Sequence, residues 1–110
     1  CYIENVIQAN LLSALTTNKE ALNQVFNIAV NDTTSLLDLF DMISSNLNDN
    51  IRNLNIKEPI YRDFQDGDVR HSQGAIDHAT KNLGYIPTHT INEGLNEAIH
   101  WYIQNGVARN

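Results

Sequence analysis

Cysteine is nearly missing from this sequence of 110 residues: Cys1 is the only one, so no internal disulfide can form, and the count suits a reducing, cytoplasmic setting. Basic residues are scarce as well, seven against thirteen acidic, and they are scattered with no stripe or aromatic interleaving. That pattern excludes a surface built to follow a phosphate backbone, so nucleic acid is not an expected partner. No apolar run approaches the roughly 20 residues that cross a bilayer, and no membrane partner is expected. The four histidines, His71, His78, His89 and His100, have neither the spacing of a helical zinc site nor a cysteine pair nearby, so no metal is expected. There is no Gly-x-Ser-x-Gly elbow, and Ser72 beside His71 would point to the opposite face of an extended chain. Nothing around Cys1 would lower its thiol pKa.

What remains is one domain's worth of residues, 42% apolar, with no repeat. Ile3, Ile7, Leu11 and Leu15 recur every four residues, with Val6 and Ala14 beside them, and predict an amphipathic helix that starts at once and ends near Thr16. A chain opening on cysteine with its one methionine at Met42 reads either as a lipoprotein acylated on Cys1 or as a piece of a longer chain. The immediate helix leaves no tether for an anchor and favours the second. "VFNIAV", residues 25–30, has the β-branched and aromatic content of a buried strand. Ser35 with Asp38 resembles a helix cap for Leu36, Leu39, Phe40, Ile43 and Leu47.

The asparagine-rich stretch 46–55 reads as a surface connection, and "IYRDF", after Pro59, as a short edge strand. A weaker helix is expected over residues 75–83, stopped by Gly84, and a last one behind the capping pair Thr90 and Glu93, ended by Gly106. From the edge strand to the weaker helix runs the least ordinary segment, "FQDGDVRHSQGAI". Gly67 permits a sharp turn or a close backbone approach, Asp68 offers a carboxylate to hydroxyl hydrogens, and Arg70 carries a planar fork suited to phosphate. Alone, such a glycine-aspartate turn is more often a solvated loop than a site.

"CYIENVIQANLLSAL", "VFNIAVNDTTSLLDLF", "YRDFQDGDVRHSQ" and "LGYIPTHTINEGLNEAIHWY" follow one another in an order and spacing that resemble the carboxyl-terminal part of an extended short-chain dehydrogenase/reductase. Within that family the chain looks most like the bacterial NAD-dependent 4-epimerases of UDP-N-acetylhexosamines used in surface polysaccharide synthesis, with "GDVRHSQ" the most specific piece. The resemblance implies an α/β fragment: a small helix-rich substrate-binding part with short strands, occupying residues 1–110, that closes over a UDP-sugar. It also implies a dinucleotide-binding amino-terminal half of Rossmann type outside this chain, which holds NAD, and a homodimeric intact enzyme. By the same resemblance Asp68 would bind the uridine ribose hydroxyls and the residue three before it the diphosphate. That residue, usually arginine, is here the uncharged Gln65, and Arg62 and Arg70 are the candidates to supply the charge. Where the family carries a capping aspartate the chain has Ala75, which costs that helix about 0.5–2 kcal/mol.

No catalytic residue is expected in this chain. The residues four after Tyr2, Tyr61, Tyr85 and Tyr102 are Val6, Gln65, His89 and Gly106, so the family's tyrosine and lysine pair is missing, and no glycine-rich phosphate turn occurs. The chain alone is therefore expected to be inactive. A related dehydratase, decarboxylase or reductase shares the same architecture, and a free-standing acidic interaction module is the reading from a different class. The apolar faces at residues 3–15 and 91–102 predict self-association or low stability of the isolated chain. Sedimentation and thermal melting check this, and a strictly monomeric, highly stable chain would contradict it.

Overall fold

The computed structural model describes residues 1–69 and 71–106. Among the described residues four α-helices follow in order, α1 (Ile3–Leu15), α2 (Leu36–Asn50), α3 (Asp77–Leu83) and α4 (Ile91–Gly106), with one 3₁₀ turn at Lys19–Ala21. The chain divides into two compact units, Cys1–Asp32 with Gln73–Gly94, and Thr33–Ser72 with Leu95–Asn110.

In the first unit α1 packs on α3 around a small core of Ala9, Ile76, Ala79 and Tyr85, against which Leu12, Phe26, Ile28 and Ala29 are partly buried. Three connections hold it. The fully buried Tyr85 donates its hydroxyl to the Ala29 carbonyl at 2.8 Å. The Asn18 side chain caps the 3₁₀ turn by accepting from Glu20 N and donates to Asn82 O, an orphan carbonyl in the last turn of α3. Asn5, fully buried on α1, accepts from Thr88 N at 2.8 Å and His89 N at 3.1 Å and donates to His89 O at 2.8 Å.

The helix termini follow the local chemistry read from the sequence. Ser35 and Asp38 form a full capping box at α2, Thr90 and Glu93 exchange the equivalent bonds at α4, and Gly84 ends α3 in the left-handed conformation at φ 71°. α3 is shorter than expected, beginning at Asp77, and its N-cap, Ile76, has no side-chain cap. α2 runs to Asn50, into the asparagine-rich stretch, where Asn46 donates to Met42 O and Asn50 to Asn46 O, each one turn back.

The expected strands are not formed: among the described residues no segment is a β-strand. Residues 25–30 are not helical, and Phe26 and Ile28 turn toward the core while Val25 and Asn27 are exposed, the alternation of a strand without its ladder. A strand exists only with a neighbour to receive its backbone bonds, and no described segment pairs with this one. The Ala29 carbonyl is satisfied by the Tyr85 hydroxyl instead. "IYRDF" likewise runs without a ladder, with Ile60 and Tyr61 exposed.

α1 differs from the expectation in which face it buries. The regular stripe Ile3, Ile7, Leu11 and Leu15 is exposed, and the buried face is made by Asn5 and Ala9 with Leu12 beside them. The helix is thus apolar on two sides, and only one is covered within its unit.

Two predictions follow from this packing. Gly94 lies under the Tyr2 ring, where an added Cβ would sit 2.6–3.0 Å from three Tyr2 side-chain atoms. Gly94→Ala, which in an exposed helix gains up to about 1 kcal/mol, is expected to lower the melting temperature here, as denaturation will show. The second concerns pH. Burial raises the Tyr85 phenol above its ordinary value, so the stability it contributes is complete below the unfolded phenol's range near 10 and is lost as pH rises through the folded value. Glu93 is held below the ordinary glutamate range, first by the Thr90 backbone N–H and then by the Thr90 hydroxyl, so its contribution is present above the unfolded range and fades as pH falls. Melting temperature against pH should fall at both ends, and Tyr85→Phe should flatten the alkaline limb.

Candidate functional site

Residues 64–69 of the segment singled out by sequence lie in the second unit as an exposed turn whose backbone is tied to its own aspartate. Asp68 Oδ2 accepts from Gln65 N at 2.9 Å, and Asp68 N donates to Gln65 O at 3.1 Å. Gly67 lies between them at φ 97°, in the left-handed region that side-chain-bearing residues rarely adopt, with nothing near its missing side chain. The pair of reciprocal bonds explains why aspartate suits position 68 even before any ligand is considered: it closes the turn as Asx residues do. One carboxylate oxygen is engaged in this way, and among the described residues no hydrogen bond to the other is present.

Gln65, Asp68 and Arg62 are all exposed on this segment. Arg70, the fourth site residue expected from sequence, lies outside the described residues. Arg62 lines a hollow of about 280 Å³ with Leu36, Leu37, Phe40, Pro59, Ile60 and Tyr61, a mainly apolar wall with one cation at its rim. The structure therefore brings Gln65 and Asp68 into one turn and places Arg62 against the start of α2.

Directly after the turn, His71 and Ser72 line a second hollow of about 250 Å³ with Thr33, Thr34 and Ser35. Ser35 is already committed to the α2 capping box, accepting from Asp38 N at 3.0 Å and donating to Asp38 Oδ2 at 2.6 Å. Sequence reading took Ser35 as a helix cap, and missed that Thr33, Thr34 and Ser35 line one hollow with His71 and Ser72. The available signal was the density of hydroxyl residues just ahead of a cap, but their meeting with residues more than thirty positions later is tertiary. A third hollow, about 280 Å³, is wholly apolar, lined by Ile43, Leu47, Leu95, Ala98, Ile99 and Tyr102.

No group of three or more histidine, cysteine, aspartate or glutamate side chains is placed to hold a metal ion among the described residues. The glycines are used structurally: Gly67 and Gly84 make turns, while an added Cβ at Gly74 or Gly94 would meet Ala29 or Tyr2 at 2.8 or 2.6 Å. Gly106 is the last residue of α4. No described helix is long and apolar enough to cross a membrane.

No protein-family model matches the chain. The chain is 30% identical over 103 residues to a dTDP-L-rhamnose 4-epimerase of Burkholderia thailandensis, covering 93% of this chain and 26% of that protein. It is 27% identical over 81 residues to protein CapI of Staphylococcus aureus, 74% of this chain and 22% of that protein. An uncharacterized protein of Methanocaldococcus jannaschii is 28% identical over 104 residues, 94% of this chain and 29% of its own length. The chain thus spans between about a fifth and a third of the length of the curated relatives it matches, and its likeness to a nucleotide-sugar epimerase is distant.

Proposed function

We propose that these residues form the UDP-sugar-facing part of an NAD-dependent 4-epimerase that interconverts sugars of the UDP-N-acetylglucosamine and UDP-N-acetylgalactosamine type. The observation that carries the reading is the likeness to a 4-epimerase of a nucleotide sugar over 93% of the chain, the Gln65 to Asp68 turn included. On this reading Asp68 accepts a hydrogen bond from the nucleoside sugar through the carboxylate oxygen that the turn leaves open. Gln65 donates through its amide to the diphosphate, with Arg62 and Arg70 as sources of the positive charge that Gln65 lacks. The hydroxyls and imidazole of the neighbouring hollow offer both donors and acceptors, which is the chemistry a hexose ring requires.

The reaction class brings NAD with it, as carrier of the hydride at C4 of the sugar. None of the five glycines here belongs to a glycine-rich turn opening a helix, so this reading puts the dinucleotide outside the 110 residues, in an amino-terminal half that completes the pocket. The part described here then orients the nucleotide and closes over the sugar. It supplies no tyrosine and lysine pair of its own, and the chain alone is expected to be inactive.

The reading is tested by titrating the isotope-labelled chain with UDP and following backbone amides. Shifts are expected to cluster at residues 64–73, and Asp68→Asn should weaken the response several-fold by removing a charged acceptor. Shifts confined to the asparagine-rich residues 46–55 would sink the assignment.

A further inference from the structure

We infer that Asn105 is a self-modification site: its side-chain amide is lost to the backbone of Gly106 by spontaneous deamidation, at a rate set by unwinding of the last turn of α4. The reaction needs only water. The Gly106 nitrogen attacks Asn105 Cγ, the N–Cγ bond forms as the Cγ–Nδ2 bond breaks, and ammonia leaves with the Gly106 amide proton. Water then opens the cyclic imide at either carbonyl, leaving aspartate or, with one extra methylene in the main chain, isoaspartate.

A side chain on the following residue obstructs this attack, and glycine has none. Asn105 is the one asparagine in the sequence that precedes a glycine. Other asparagines are placed less well for the reaction. Asn5 is fully buried with both ends of its amide bonded, and Asn18 is bonded at both ends too. Asn23, Asn31 and Asn53 lie outside the helices with φ between 54° and 59°, but they are followed by Gln24, Asp32 and Leu54. Asn105 and Gly106 are both exposed, so water and base reach them.

The helix supplies the gate. Asn105 Nδ2, the nitrogen that must depart, donates to Trp101 O at 2.8 Å, one turn back. Attack requires that bond to break and the backbone of Asn105 to leave its helical conformation. Asn105 is the last residue but one of α4, and helix ends open at far smaller free-energy cost than helix interiors. The product cannot close the gate again. A carboxylate has no hydrogen to donate to Trp101 O, it sets a negative charge at the helix end where the macrodipole disfavours one, and isoaspartate breaks the helical repeat.

The test keeps the full chain in mildly alkaline buffer, where the amide attack is fastest, and follows its peptides by mass spectrometry. A gain of one mass unit is expected first at Asn105, with both aspartate and isoaspartate in the product. Gly106→Ala should slow it several-fold, and unfolding the unaltered chain in urea should speed it several-fold. A gain that appears first at Asn31 or Asn53, or at no asparagine, overturns the site. Equal rates in the folded and unfolded chain overturn the gate. Asn105→Asp reproduces one product directly; shifted amides at residues 101–106 and a lower melting temperature are expected, and a chain unchanged in both would show that the last turn does not depend on this amide.

Discussion

The first unit depends on the side chain of Asn5. It is fully buried, and a buried amide left unpaired costs more than most apolar contacts return. Asn5 avoids that cost by spending both ends on one segment: its oxygen accepts from the backbone of Thr88 and His89 and from the Thr88 hydroxyl, and its nitrogen donates to His89 O. The bonds join positions more than eighty residues apart, so α1 and the approach to α4 cannot take their places independently. Around this knot the Tyr2 ring lies 4.9 Å from that of His89 and fills the space that Gly94 leaves. Thr90, the next residue, then caps α4. Apolar packing alone would not fix this register, because two of the four buried core residues, Ala9 and Ala79, are alanines beside Ile76 and Tyr85. The hydrogen bonds of Asn5 and Tyr85 supply directionality that alanines lack.

A core this small stands beside an outer surface that is unusually apolar. Ile3, Leu11 and Leu15 are more than half exposed on the side of α1 that does not pack on α3, and Val25, Leu36 and Ile60 are more than four-fifths exposed. Scattered apolar residues are ordinary, but a helix apolar on two sides is the pattern of an element covered on both. On the proposed reading, a longer enzyme would be what covers that face.

The helix ends were legible because they are local. The pairs Ser35 with Asp38 and Thr90 with Glu93 close over three residues, and Gly84 needs only its own backbone freedom. What was not legible is what depends on a distant partner. Nothing in "YIENVIQ" marks Asn5 as buried, since its reward lies at residues 88 and 89. Periodicity located the apolar stripe of α1 but not which side the rest of the unit would cover. β-Propensity at residues 25–30 was read as a buried strand; the segment is non-helical and partly buried, but a strand needs a ladder that propensity cannot supply. The asparagines at 46 and 50 were read as part of a surface connection, and their side chains instead bond back one turn within α2.

The candidate site was legible to the same degree and for the same reason. Glycine at 67 and aspartate at 68 announced a turn, and the turn is there; that the aspartate holds it with one oxygen is a geometric fact no composition reveals. Structural and ligand-binding readings of Asp68 are not rivals once its two oxygens are counted separately. A turn closed by its own side chain is ordered before a ligand arrives, so little conformational entropy remains to be lost on binding.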